Sequence, residues 1–416
     1  MKSKIHEFLT FKNKAMSKTI RKINELLNRG TYLMLAFFFT IGCNSNTAQT
    51  LQTLSHGMDP APTAAAASSE TIRLALLLDT SNSMDGLIDQ AKSQLWVIVN
   101  ELTKARCNGE SPNLEIALYE YGNDRLSDKE NYIRQVTKFT TDLDTISREL
   151  FALSTNGGSE FCGAVIGSSL KQLTWSALTT DLEMIVIAGN EPFTQGPINF
   201  KETCAAAKNK NVFINTIFCG EAMEGIKTNW KAGADLSDGA YMNIDQDKKT
   251  IYVQTPYDDM IVRLNDSLND TYVAYGSMGY SKKSSQLEED KNASVYTKAN
   301  TVNRTNTKIS SKYKNEKWDM VDASKEKTWD VNKVKTEELP KEMQGMTETQ
   351  KVAYVEKKKA DREKIVERIK TVNLQREKYI VDKQLKEDKT KRLDAELIAA
   401  IHEQAKKRGF TFEKQS

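Results

Sequence analysis

The sequence predicts a doubly wound α/β fold: a mostly parallel sheet flanked by helices, Rossmann-like, followed by a polar extension and a helical C-terminal tail. Three observations carry the core of this prediction. Leu74–Leu78 and Met184–Ala188 are uninterrupted apolar runs, as expected of strands buried on both faces. Between such runs, apolar residues recur at three- and four-residue steps, the helical period. The two patterns alternate from Thr71 to about Tyr275, the mark of repeated strand–helix units.

The elements follow in order. Leu74–Leu78 is the first strand, and Leu87, Ala91, Leu95, Ile98 and Leu102 set the first helix. Leu114–Tyr121 is a second strand and Tyr132–Phe139 a short edge strand. Leu143, Ile146, Leu150 and Leu153 mark a helix, and Ile166, Leu170 and Leu173 the next. After the Met184–Ala188 strand, Pro197 starts a helix over residues 198–208. Val212–Phe218 is a strand and Glu221–Asp238 one helix, closed by Gly239. Tyr241–Asp245 and Ile251–Gln254 are short strands. Thr255-Pro256 then caps a helix running to about Asn269.

The flanks differ in composition. Lys18, Arg21 and Lys22 precede TYLMLAFFFTIGC at 31–43, an apolar stretch too short to span a bilayer but suited to an export signal. Residues 44–70, rich in Ala, Thr, Ser and Asn, read as a flexible tether. Residues 276–340 are polar and expected to be largely irregular, with Trp318 and Trp329 docking back onto a folded surface. Residues 341–416 form a highly charged tail. Ile365, Ile369, Val372 and Tyr379, then Leu393, Leu397, Ile401 and Ala405, predict two helices with a narrow coiled-coil-like seam, which Arg376 interrupts. Their charged faces are expected to be solvated surface.

The chemistry gathers where the first strand ends, in LALLLDTSNSM. In sheets of this kind ligands bind at the carboxyl ends of the strands. One oxygen donor would cap the following helix. Asp79, Ser81 and Ser83 in alternation exceed that need and suit a hard cation such as Mg²⁺.

LLLDTSNSM, with GGSEFCGAVI at 157–166, MIVIAGNEP at 184–192 and the order of elements, resembles a von Willebrand factor type A domain over residues 71–275. The resemblance implies a metal-ion-dependent adhesion site in which Ser81 and Ser83 bind metal directly and Asp79 through water. The family's threonine from a following loop falls on Glu160, or with a one-residue gap on Ser159. The family's second aspartate falls on Gly189, so one carboxylate is lost and Glu160 is expected to supply the missing charge. Thr40-Ile41-Gly42-Cys43 resembles a bacterial lipobox, which implies lipidation of Cys43 and anchoring to a cell-envelope membrane on the periplasmic side or at the outer membrane.

Four cysteines remain, Cys107, Cys162, Cys204 and Cys219, a count that permits two disulfides in an exported chain. Cys162 and Cys219 are the suggested pair, since both should lie near the same sheet edge. The histidines are His6, His56 and His402, none inside the strand–helix region. That argues against nucleophile–histidine catalysis and histidine-bound zinc there. No GxxxxGK[ST] or strand-linked GxGxxG supports nucleotide binding. A net charge of +3 without a basic, aromatic-interleaved patch argues against nucleic acid. The expected function is non-enzymatic binding of a protein partner. The alternative is a metal-free envelope scaffold whose helical tail makes the interaction.

Overall fold

The computed structural model describes residues 70–244, 254–296, 298–386 and 393–412. The expected leader, Cys43, the tether and most of the Ile251–Gln254 strand lie outside them. Eight strands are present among the described residues: β1 (Thr71–Asp79), β2 (Ala105–Cys107), β3 (Asn113–Tyr121), β4 (Ile133–Thr140), β5 (Leu182–Gly189), β6 (Val212–Cys219), β7 (Tyr241–Ile244) and β8 (Phe410–Phe412). Six of them form one sheet in the order β4-β3-β1-β5-β6-β7. All its pairings are parallel except β3 with β4, the antiparallel edge. The chain leaves β1 toward β3 on one side and returns to β5 on the other. The order therefore reverses at β1, and Asp79 ends that strand at the switch point where such sheets open a crevice.

Each sheet face has its own apolar core. Ile72, Leu74, Leu76, Met184, Val186 and Ile217 pack under α1 (Ile88–Leu102) and α2 (Leu143–Ala152). Ala75, Leu77, Tyr121, Ile185, Ile187 and Ile214 pack under α3 (Cys162–Gln172), α4 (Phe200–Asn209) and α6 (Trp230–Asp235). The expected single helix over Glu221–Asp238 is broken into α5 (Ala222–Lys227) and α6. Asn229, at φ 73°, turns the chain between them and lets Trp230 reach the core.

The region beyond Tyr275 departs most from expectation. The extension is not largely irregular. After α7 (Asp258–Asn269) it forms α8 (Gly279–Tyr296), α9 (Lys298–Lys308) and the short α10 (Met320–Ala323). An apolar period was absent because the buried face is polar. Arg304 and Lys308 are buried, with Arg304 Nε 3.0 Å from Asp290 Oδ1 and Lys308 Nζ 2.6 Å from Asp290 Oδ2. Arg304 Nη1 lies 2.6 Å from Asp144 Oδ1 on α2, so the cluster ties the extension to the sheet domain. Trp318 docks as expected, stacked on Tyr272 at 5.8 Å.

Glu289, buried in the same layer, has an Oε2 without a hydrogen-bond partner, and burial pushes its carboxyl up to about 7. A carboxyl raised above its ordinary value is best accommodated protonated, so this contribution is intact below about pH 4.5 and fades as pH rises through 7. Glu289→Gln should therefore stabilise the protein at pH 8 by about 1–3 kcal/mol and leave it nearly unchanged at pH 4.5. Urea melts at the two pH values check this; equal effects at both would refute it.

The tail is two helices, α11 (Glu348–Lys386) and α12 (Leu393–Lys406), and they belong to the fold. Their charged faces are not simply solvated. Arg376, placed in the seam, is buried with Nε 2.9 Å from Asp258 Oδ1 on α7. Arg362 is buried against Asp319 and Asp322. Leu397, Ile401 and Ala405 of α12 join the first core, over β7 and beside α1. Gln404 and buried Asn215 of β6 exchange amide hydrogen bonds of 3.0 and 2.7 Å. His402 hydrogen-bonds Glu101 of α1 at 2.8 Å, which brings the tail's histidine onto the sheet domain. Finally β8 pairs antiparallel with β2, a two-stranded sheet that no sequence pattern announced. Among the described residues no helix is long and apolar enough to cross a membrane.

Candidate metal centre

Register places the site. Asp79 is level with Tyr121 of β3, and its neighbour Leu78 is level with Ala188 of β5, one residue before Gly189. Asp79 is fully buried, and its Oδ1 accepts the Ser81 amide at 2.8 Å. The turn after β1 thus folds back on the carboxylate. Oδ2 has no hydrogen-bond partner of normal geometry among the described residues, although the Asn190 backbone N–H faces the carboxylate and favours its ionised form. Burial pushes Asp79 up to about 7, opposed by its hydrogen bonds to Ser81 and reinforced by the negative charge of Glu160.

The serines are brought together. Ser81 Oγ and Ser83 Oγ lie 2.8 Å apart. Ser83 Oγ donates to Asn190 Oδ1 at 2.8 Å, and Asn190 Nδ2 donates back to the Ser83 carbonyl at 2.9 Å. Asn190 therefore ties the β1 turn to the β5 end. Ser81 is buried, whereas Ser83 is exposed at the mouth.

Between the two loop readings, the structure favours Glu160. It is buried, and a Cβ on Gly122 would meet Asp79 Oδ1 at 2.8 Å and Glu160 Cγ at 2.9 Å, so the two acidic side chains crowd one point. Burial also raises the Glu160 carboxyl, with Glu191 adding repulsion and a hydrogen bond from Ser81 opposing it. Gln195, with its amide nitrogen turned inward, donates to the Glu160 carbonyl and Oε2 at 3.1 Å. Ser159 is half-buried and makes no hydrogen bond to Asp79, Ser81 or Ser83. The loop is held by Asn156 N donating to the Thr80 carbonyl at 2.9 Å and Asp124 N to the Gly157 carbonyl at 2.5 Å.

Gly189 has a steric explanation. A Cβ there would lie 2.6 Å from the Tyr121 hydroxyl and 3.0 Å from both Asp79 Cβ and Oδ2. Tyr121 reaches across β1 and donates to the Ala188 carbonyl at 3.1 Å, filling the space a side chain at 189 would need. Tyr121, Asn190 and Gln195 were not picked out from the sequence. The only signal was the pairing of a large residue ending β3 with a glycine ending β5.

The donor set fits a hard cation. Adjacent oxygens around Mg²⁺, bonded at 2.0–2.1 Å, lie about 2.9 Å apart, close to the spacing of the two serine hydroxyls. The buried Oδ2, without a partner of normal geometry, is an acceptor that a cation would satisfy. Among the described residues no three His, Cys, Asp or Glu side chains converge tightly enough to hold an ion by themselves, so an ion held here would need the serine oxygens as well.

The suggested Cys162–Cys219 disulfide is not formed. Both thiols are free and buried. Cys162 belongs to the core on one sheet face and Cys219 to the core on the other, so the sheet stands between them. Cys162 Sγ instead lies 3.8 Å from the Tyr121 hydroxyl.

No protein-family model and no curated protein matches the chain. Solved structures do. The chain is similar to the conserved hypothetical protein BatB from Bacteroides thetaiotaomicron, at 14% identity over 42% of this chain and 90% of that one, with a TM-score of 0.33. It is similar to the SpRpn10 VWA domain, at 17% identity over 43% and 89%, with a TM-score of 0.33. It is also similar to proximal thread matrix protein 1 of the mussel byssus with a zinc-occupied MIDAS motif, at 10% identity over 44% and 43%, with a TM-score of 0.32. These likenesses extend over about two fifths of the chain, and the chain's own strand order and register establish the mostly parallel α/β fold.

Proposed function

We propose that this chain is a non-enzymatic, cation-dependent protein-binding module of the cell envelope, exported by its leader and tethered through lipid on Cys43. The observation that carries the reading is the buried Asp79 carboxylate at the switch point of the sheet, its Oδ1 on the Ser81 amide and its Oδ2 without a partner of normal geometry, in the turn that brings the Ser81 and Ser83 hydroxyls together. Ser81, Ser83, Asp79 and Glu160 would hold Mg²⁺ or a similar ion, which supplies an electrophilic centre for a partner's oxygen. The chain's own part is to keep two carboxyls dry and the serines in place, through Asn190, Gln195 and the Thr80 carbonyl.

The scaffold reading has less support. It needs a tail free to recruit partners, and this tail spends Arg362, Arg376 and Gln404 on the domain itself. Deleting 341–416 would therefore disrupt the fold rather than isolate an interaction element.

Asp79→Asn tests the proposal. With a carboxyl raised from 3.8 to about 7, the contribution of Asp79 to the metal-free fold is complete below about pH 4 and is lost as pH climbs through 7. Keeping Asp79 ionised at pH 8 costs on the order of 3–4 kcal/mol, so the metal-free variant should melt higher than wild type there. Millimolar Mg²⁺ should raise the melting temperature of wild type and leave the variant unmoved, because only an ion bound to the native state stabilises it. In cells, crosslinked partner should be lost with the variant. An unresponsive wild type would remove the cation from the proposal, and unchanged capture would move the binding face elsewhere.

A further inference from the structure

We infer that the cation at this centre presents its open position to an uncharged oxygen donor of the partner, a backbone carbonyl, side-chain amide or hydroxyl, rather than to a carboxylate. The inference rests on the cation-site reading above and specifies what that site recognises.

The argument is a charge count. Asp79 Oδ1 and Glu160 Cγ crowd the same space over Gly122 and both carboxyls meet Ser81, so when ionised they would together offset the two positive charges of a divalent ion. Ser81, Ser83 and Asn190 supply only neutral oxygens. A third acidic group, Glu191, lies close enough to repel Glu160. The leading influences on Asp79 and Glu160 are burial, hydrogen bonds and other acidic groups; no lysine or arginine is among them. A filled site is therefore neutral at the ion and negative at its rim. An incoming carboxylate would meet that rim charge while giving up its own hydration, and the loss is severe where water is excluded. A carbonyl or hydroxyl fills the coordination position without the repulsion. A centre retaining one carboxylate would carry a net positive charge and favour the opposite choice.

The experiment is Mn²⁺ binding to the full chain, followed by electron paramagnetic resonance and calorimetry, with acetate as the carboxylate probe and acetamide as the neutral one. Ionic strength is held with chloride and free Mn²⁺ is corrected for acetate complexation. Wild type should bind Mn²⁺ with an affinity that 100 mM acetate leaves within about a factor of 1.5. Glu160→Gln, which keeps the side chain's shape and its reach toward Gln195, should bind Mn²⁺ more weakly and regain at least about threefold in affinity with acetate. Acetamide should not discriminate between the two proteins. Acetate tightening wild-type binding as much as it tightens the variant overturns the inference, as does equal insensitivity of both. The wild-type arm decides even if the variant misfolds: a strong acetate effect there is sufficient to refute. Failure of the cation site itself is seen separately, as no Mn²⁺ binding to wild type without any additive.

Discussion

Gly189→Asp is expected to destabilise the protein by at least about 3 kcal/mol, although it restores the residue that the type A resemblance puts there. The first cost is steric. The new Cβ would sit 2.6 Å from the Tyr121 hydroxyl and 3.0 Å from Asp79, in a row buried on both sides. The second is electrostatic: a second carboxylate would face Asp79, whose own charge is already poorly accommodated. Trimming the obstacle with Tyr121→Ala in the same chain should recover part of the loss and restore room for the aspartate. Chemical denaturation of the single and double variants measures both effects. A single variant as stable as wild type would mean that Tyr121 does not occupy the space as described.

Arg362→Ala should cost about 3–5 kcal/mol, the usual penalty for stranding buried acids. The guanidinium is 2.7 Å from Asp319 Oδ2 and 3.1 Å from Asp322 Oδ1, and it donates to Thr271 Oγ1 and to the Thr271 carbonyl, each at 2.9 Å. Its plane also lies 4.0 Å from the centre of the Tyr272 ring. Asp319 has no exposure, so losing Arg362 leaves a charge in the interior without a counter-ion. The companion variant Arg362→Met with Asp319→Asn removes both charges together and should be much less harmful than Arg362→Ala. Protease sensitivity of the α10–α11 region would report the same loss locally. A cost under about 1 kcal/mol would show that α11 is held mainly by its apolar contacts.

The parts of this protein that the sequence revealed are those where apolar spacing maps directly onto burial. Leu74–Leu78 and Met184–Ala188 are buried on both sides and read as strands at once. Leu143, Ile146 and Leu150 defined α2, and Asp142 caps it by accepting the Thr145 amide. Asp79, Ser81 and Ser83 were visible because three oxygens follow a buried strand with no structural need for all of them. What stayed hidden was burial achieved with polar atoms. In α9 the inward positions include Asn300, Arg304, Thr305 and Lys308, a set any hydropathy pattern assigns to solvent. The same holds for Arg376, whose partner Asp258 is remote in sequence. Glu160 was legible only as one of two alternatives, because the choice depends on the path of the loop over Gly122. The cysteine pairing went wrong for a related reason: proximity to one sheet edge does not say which side of the sheet a thiol enters.

The pairing of β8 with β2 has a consequence for how the chain folds as it is made. Phe410–Phe412 meets Ala105–Cys107 across some three hundred intervening residues, and α12 roofs β7 only once that C-terminal stretch is present. Contacts closing so long a loop are late events in folding. A nascent polypeptide halted before this point lacks the cover over β7 and beside α1, so that edge of the sheet should stay loose and close only after α12 has arrived.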